Sequence, residues 1–170
     1  METYNNLKVF RYEDSPESVK KSCLENHSIF LAGPTVRGNQ PHLTSWRFEA
    51  IDIFKKLDFN GYLVVPEFTS KQESDKGKKC IPLWEFNGLI SCDVILFWIP
   101  RTKELIGLTT NWELGYWIGR DIGKVIYGRP DDAYRIDYLD TMWEAIHNEN
   151  GTKPVIYNTL EDTIKASIKK

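Results

Sequence analysis

Five short segments of this chain are apolar at almost every position, and each is followed by a glycine, proline or asparagine. They are residues 28–32, 62–65, 94–99, 125–127 and 155–157. Apolar residues that do not alternate with polar ones are typical of strands covered on both faces, as in parallel sheets. The five segments therefore predict a parallel sheet buried between layers of helices.

Stretches with helical periodicity lie between and after these segments. The predicted helices cover residues 45–57, 82–92, 111–122, 137–147 and 160–168. Strands that alternate with helices predict an α/β fold with a doubly wound sheet of about five parallel strands, in three α/β/α layers. Residues 1–27 form an N-terminal extension, in which residues 7–10 are a candidate for one extra strand.

Length, charge and cysteine content limit the function. A chain of 170 residues fits a single domain, and its 22 basic and 24 acidic residues include no basic block of the kind that tracks a nucleic acid. No apolar run approaches the roughly 18 residues of a membrane helix, so a cytoplasmic protein is expected. Cys23, Cys80 and Cys92 are odd in number and widely spaced, which argues against a disulfide framework and against a metal site.

Polar clusters follow four of the predicted strands, at residues 33–39, 66–67, 100–111 and 128–131. Ligands of open parallel sheets bind beyond the carboxyl ends of the strands, so these clusters are candidates for a site. The polar segment 69–79 has two interpretations, a mobile surface loop or a lid over that site.

The first cluster has the composition of an anion or polyhydroxyl site. It combines Gly33, Thr35, Arg37 and Gly38, and Ser45 follows at a predicted helix start. Glycine lets a ligand approach the backbone, and a helix N-terminus favours anions. The cluster matches neither the dinucleotide fingerprint nor a phosphate loop, so an ordinary tight turn remains an alternative.

Glu113 stands near the start of the predicted helix 111–122. With Thr110 or Asn111 as the cap, it lies in the first turn, where the helix dipole stabilises an ionised carboxylate. Such a carboxylate is equipped for nucleophilic attack, and the neighbouring Trp112 has the flat surface that stacks on a heterocycle. The alternative is an acid that stabilises only the helix start.

Glu85 is a second carboxylate near the start of a predicted helix, among apolar neighbours. Burial without a cationic partner raises the pKa of a carboxyl group and suits it to proton donation near neutral pH. Two carboxylates with separated pKa values are the equipment of glycosidic bond cleavage. A solvent-exposed helix residue is the alternative interpretation of Glu85.

Several motifs together resemble the nucleoside 2-deoxyribosyltransferase-like family, which is related to nucleoside 5′-monophosphate N-glycosidases. The most specific are Ala32-Gly33-Pro34-Thr35 and Glu113-Leu114-Gly115, joined by Ser45-Trp46-Arg47, Trp84-Glu85 and the segment 93–100. The resemblance implies a flavodoxin-like sheet, a homodimer or larger assembly, no cofactor, and cleavage of an N-glycosidic bond through a covalent glycosyl-enzyme ester.

The resemblance also implies residue roles. Glu113 matches the nucleophile, and Glu85 matches the acid that assists the departing base. The implied substrate-binding residues are Gly33, Pro34, Thr35, Arg37, Gly38, Ser45, Trp46, Trp84, Asn111 and Trp112. The two-step reaction predicts carboxyl groups about 5–5.5 Å apart, against roughly 6.5–9.5 Å for direct attack by water.

One departure from the family pattern leaves alternatives open. Classical transferases carry an aspartate just ahead of the nucleophile, whereas residues 105–110 contain no acid. Transfer or hydrolysis, ribose or deoxyribose, and nucleoside or monophosphate therefore stay open. A nucleotide-binding module without catalysis is the second functional hypothesis, and a flavodoxin-like redox protein is a weaker third.

Overall fold

The computed structural model describes residues 1–36, 40, 42–69 and 81–170. Within those residues, six strands form one sheet in the order β1-β2-β4-β3-β5-β6. The strands are β1 (Glu2–Tyr4), β2 (Leu7–Phe10), β3 (Ser28–Ala32), β4 (Gly61–Val64), β5 (Val94–Trp98) and β6 (Val125–Gly128). Strand β1 is antiparallel to β2, and all the other pairs are parallel.

Six α-helices lie within the described ranges. They are α1 (Pro16–Cys23), α2 (Trp46–Lys56), α3 (Ile81–Ser91), α4 (Leu108–Asp121), α5 (Asp137–Glu149) and α6 (Leu160–Ile168). Local sequence explains three of the starts, because Ser15 caps α1, Ser45 caps α2 and Thr159 caps α6 through their side-chain oxygens. None of the helices in the described part of the chain is long and apolar enough to span a membrane.

Each face of the sheet is covered by its own apolar cluster. Phe30 and Ala32 of β3 point to the face covered by α1, α3, α4 and α5, whereas Ile29 and Leu31 point to the face covered by α2 and α6. Side chains alternate between the two faces of a strand, so a strand buried on both faces is apolar throughout. This confirms the predicted α/β fold with three layers.

The set of parallel strands differs from the prediction at one position. Residues 155–157 form no strand, and only Tyr157 pairs with Gly128 in an isolated bridge. This prediction was wrong because Val155 is 40% exposed, so its apolar character does not reflect burial in the sheet. Residues 7–10 take the fifth parallel position as β2. The sequence did not predict β1 or α1.

Helix bounds agree with the prediction within one to three residues, and one difference matters for function. The helix predicted to begin at Asn111 begins at Leu108, and the residue before it, Gly107, caps it without a side-chain hydrogen bond. Thr110 and Asn111 are therefore inside α4. The segment 69–79, predicted to be a loop or lid, lies outside the described residues apart from Thr69.

Candidate active site

The loops after β3 and β5 meet closely at the carboxyl edge of the sheet, and glycines make the contact possible. A Cβ on Gly33, which has φ +152°, would lie 2.2 Å from the carbonyl oxygen of Trp98. A Cβ on Gly107, which has φ +65°, would lie 2.7 Å from the side chain of Pro34. Larger residues would force both loops apart.

The guanidinium of Arg47, in the first turn of α2, holds the loop after β3 in place. The side chain is 1% exposed and donates to the oxygens of Leu31, Gly33, Pro34, Thr35 and Glu67. The distance from Nη1 to Oε1 of Glu67 is 2.8 Å, and Glu67 follows β4. One buried cation therefore connects the ends of two neighbouring strands.

Ser45 and Trp46 lie beneath this loop with their polar atoms already engaged. The Ser45 hydroxyl donates to Oε1 of Glu67 at 2.7 Å and accepts from the Arg47 amide at 3.2 Å. Nε1 of Trp46 donates to the carbonyl oxygen of Pro34 at 3.0 Å, and the ring is buried. These contacts support the loop. The direct substrate contacts that the resemblance implies for Ser45 and Trp46 stay a prediction.

Glu85 lies in α3 and accepts a hydrogen bond from the hydroxyl of Tyr12, which follows β2. The ring of Tyr12 packs edge to face on Trp84, with centroids 5.0 Å apart. Nε1 of Trp84 donates to the carbonyl oxygen of Asp14 at 2.9 Å. Trp84 is buried and anchors the segment that carries Tyr12, and the substrate contact implied for it stays a prediction.

Glu113 is the sixth residue of α4, in its second turn. The predicted place in the first turn was wrong, because the helix begins three residues earlier than the sequence indicated. The N-terminal dipole acts mainly within the first turn and stabilises Glu113 less than expected. The carboxyl group is half-buried, and its surroundings decide its charge.

The pKa values of both carboxyl groups are raised. Burial, followed by the negative charge of Glu85, raises the pKa of Glu113 to about 7, while Arg47 opposes the shift. Burial also raises the pKa of Glu85, against the Tyr12 hydrogen bond and the charge of Arg47. For Glu85 the direction agrees with the prediction, whereas for Glu113 it is the opposite of what a first-turn position implied. Each side chain lies within the electrostatic field of the other.

Asn111 and Trp112, the remaining predicted binding residues of α4, differ in accessibility. Oδ1 of Asn111 accepts a hydrogen bond from Nη2 of Arg101, which follows β5. Trp112 is 63% exposed and stacks on Tyr116, with centroids 5.3 Å apart and planes 16° apart. Trp112 therefore offers an open aromatic face on the surface of α4.

The predicted base contact involves some of the three tryptophans Trp46, Trp84 and Trp112. Trp46 belongs to the apolar cluster on one face of the sheet, and Trp84 belongs to the cluster on the other. Of these three, Trp112 is the exposed one. Arg37 and Gly38 lie outside the described residues. In the described ranges, no three His, Cys, Asp or Glu side chains converge as metal ligands.

Two residues of this arrangement were missed from the sequence as site residues. Arg47 belongs to the motif Ser45-Trp46-Arg47, but only the packing of α2 beside β3 shows that its charged side chain holds the loop in place. Tyr12 follows β2, the strand that was predicted only as an optional addition. If residues 7–10 are taken as one more strand, the polar residues that follow them indicate Tyr12 as a candidate site residue.

A family model described as nucleoside 2-deoxyribosyltransferase like matches residues 26–133. That range contains Gly33, Arg47, Glu85 and Glu113, and it leaves out β2 and Tyr12. A search of curated proteins found no significant match.

Proposed function

The chain belongs to the nucleoside 2-deoxyribosyltransferase-like family, and from that membership we propose that it cleaves the N-glycosidic bond of a nucleoside or nucleoside 5′-monophosphate. The observation that carries the proposal is the pair Glu85 and Glu113. Both are half-buried, both have raised pKa values, and the charge of Glu85 contributes to the raised pKa of Glu113. Paired carboxyl groups of this kind serve glycosyl transfer.

The proposed reaction has two steps. The Glu113 carboxylate attacks the anomeric carbon of the sugar, the bond to the base breaks with its electron pair on the base, and Glu85 gives the base a proton. Water, or a protonated ring nitrogen of an acceptor base, then attacks the same carbon. Glu113 leaves as a carboxylate, and Glu85 takes the proton from the attacking group.

The charge balance of the site supports this chemistry. Glu67, Glu85 and Glu113 carry three carboxyl groups near one buried cation, Arg47, and Arg47 is already paired with Glu67. The sugar ring gains positive charge as the base leaves. A site with excess negative charge beside that ring stabilises the transition state more than the neutral substrate.

A nucleotide-binding module without catalysis is the second candidate. The observation in its favour is that residues 105–110 contain no acid to contact sugar hydroxyls. The two carboxyl groups disfavour it, because a module that only binds a nucleotide gains little from two acids in its pocket, whereas glycosyl transfer uses both.

A substrate panel tests the proposal. Nucleosides, deoxynucleosides and their monophosphates are incubated with the protein, with and without a second free base, and released bases are separated by chromatography. We expect base release that Glu113→Ala abolishes and that the exposed-residue control Glu149→Gln retains. Mass spectrometry of the denatured reaction mixture should show a glycosyl adduct that the Glu113→Ala variant lacks. Binding without release would favour the binding module.

Assembly and location stay predictions of the sequence. We expect a homodimer or higher homo-oligomer in the cytoplasm. Light scattering on the purified chain measures its mass against the 19.8 kDa of one chain.

A further inference from the structure

Tyr12 brings a phenol to the proposed site from outside the range that the family match covers. It is the second residue after β2, and its hydroxyl donates to Oε1 of Glu85, 73 residues later in the chain. The geometry points to Tyr12 as a positioning residue that orients Glu85 and stabilises the carboxylate formed when the proton passes to the departing base. This inference rests on the function proposed above.

The backbone and ring of Tyr12 are held on several sides. Its amide donates to the carbonyl oxygen of Glu67 at 3.3 Å. Its ring packs on Phe68 and Trp84, with centroid distances of 4.9 Å and 5.0 Å. Trp84 in turn donates to Asp14. A phenol fixed in this way presents its hydroxyl to Glu85 without having to be ordered on substrate binding.

Tyr12 remains a hydrogen-bond donor near neutral pH. Burial, followed by the charge of Glu85, raises the pKa of the phenol well above its usual value. The hydroxyl therefore cannot serve as a base, and its role is to donate. A hydrogen bond to a charged group stabilises it more than one to a neutral group, so the bond strengthens as Glu85 loses its proton.

Among the described residues, Tyr12, Arg47 and Glu113 interact with the Glu85 carboxyl. Tyr12 and Arg47 favour its ionised form, and Glu113 repels it. Glu67 acts on Tyr12 and is paired with Arg47. Because Glu85 and Glu113 interact, they titrate as a pair. Removing the Tyr12 hydroxyl takes away a contact that favours proton loss, so the pH range in which the pair is active moves upward.

The substitution Tyr12→Phe tests the inference, with Tyr4→Phe as the matched control. Tyr4 also donates to a glutamate, Oε2 of Glu2 at 2.6 Å, but in the exposed N-terminal hairpin. We expect Tyr12→Phe to lower kcat/KM for base release about tenfold, the usual effect of a lost hydrogen bond to a charged group. Both limbs of the pH profile should move to higher pH, and Tyr4→Phe should change neither.

The background of Glu85→Gln distinguishes positioning from general damage. If Tyr12 acts through the Glu85 carboxyl, Tyr12→Phe costs little further activity once Glu85 is glutamine. For glycosides whose leaving group departs without protonation, Tyr12→Phe should also lower kcat/KM less than tenfold. Equal losses in both backgrounds, or an unchanged pH profile, would overturn the inference while base release by the wild type leaves the proposed function standing.

A direct titration does not depend on turnover. The Glu85 carboxyl is followed by ¹³C NMR in glutamate-labelled protein and assigned with Glu85→Gln. We expect its pKa to rise in Tyr12→Phe and to stay constant in Tyr4→Phe, and a constant value in both would overturn the inference. Wild-type protein that releases no base from any substrate would overturn the proposed function and, with it, the catalytic role of Tyr12.

Discussion

Nη1 of Arg47 lies 2.8 Å from Oε1 of Glu67, in a position where the arginine side chain is 1% exposed. The same guanidinium donates to three backbone oxygens of the segment 31–34. The conformation of the loop beside the candidate site therefore depends on a single buried cation and on the carboxylate that pairs with it.

Replacing Arg47 by methionine is expected to lower the free energy of unfolding by about 3–5 kcal/mol, because Glu67 would keep a buried charge without its partner. Chemical denaturation measures the change. The control is Lys165→Met, which removes the exposed pair of Lys165 and Glu161 and should leave the free energy of unfolding nearly unchanged. Similar costs for the two variants would show that Arg47 is not an anchor.

The substitution Gly33→Ala is expected to cost about 2–3 kcal/mol, since its Cβ would overlap the carbonyl oxygen of Trp98 at 2.2 Å. The control Gly119→Ala adds a Cβ inside α4 with no neighbour within 4 Å. It should stabilise the protein by about 0.5–1 kcal/mol. Thermal unfolding distinguishes the two variants, because each kcal/mol of stability shifts the melting temperature by roughly 2–4 °C for a chain of this size. A Gly33→Ala variant with unchanged melting temperature would contradict the tight turn.

The substitution Glu113→Gln is expected to abolish base release and to stabilise the fold at pH 8. The folded pKa of about 7 lies above the ordinary value of 4.5, so the folded state binds more protons than the unfolded state between these values. Stability contributed by this group is present below pH 4.5 and is lost as the pH rises through 7. The variant should gain up to about 3 kcal/mol at pH 8 and nothing at pH 4.

Denaturation at the two pH values measures this difference, with Glu144→Gln on the exposed side of α5 as the control. Glu144 is exposed in the structure and should show no such dependence. If Glu113→Gln changed the free energy of unfolding by the same amount at pH 4 and at pH 8, the raised pKa of Glu113 would be wrong.

The substitution Trp112→Ala is expected to weaken substrate binding. The resemblance implies that Trp112 binds the substrate, and its exposed ring is a surface on which the base can stack. Loss of one aromatic stacking contact costs about 1–3 kcal/mol, which corresponds to roughly 5- to 100-fold in affinity. Calorimetry with the substrate on a Glu113→Gln background measures binding without turnover. Tyr138→Ala, an exposed aromatic on α5, is the control. Unchanged affinity in Trp112→Ala would place the base elsewhere.

Much of the fold could be predicted from the sequence because its signals are local. Segments 28–32, 62–65, 94–99 and 125–127 were recognised as strands from their uninterrupted apolar residues, and their observed bounds differ by at most one residue. Helices α2 and α6 were recognised from their helical periodicity, and Ser45 was recognised at the start of α2. The segment 155–157 has the same apolar pattern but lies at the sheet edge, and sequence alone does not show which side chains are covered there.

The sequence by itself determined four strands of the sheet, the family motifs and the two candidate carboxylates, because these depend on residues near one another in the chain. Only the tertiary structure decided what surrounds the carboxylates. Glu67 meets Arg47 across 20 residues and Tyr12 meets Glu85 across 73, because parallel strands bring their carboxyl ends to one edge. The pKa of Glu113 rises through burial and the charge of Glu85, since desolvation and Coulomb repulsion depend on distance in space.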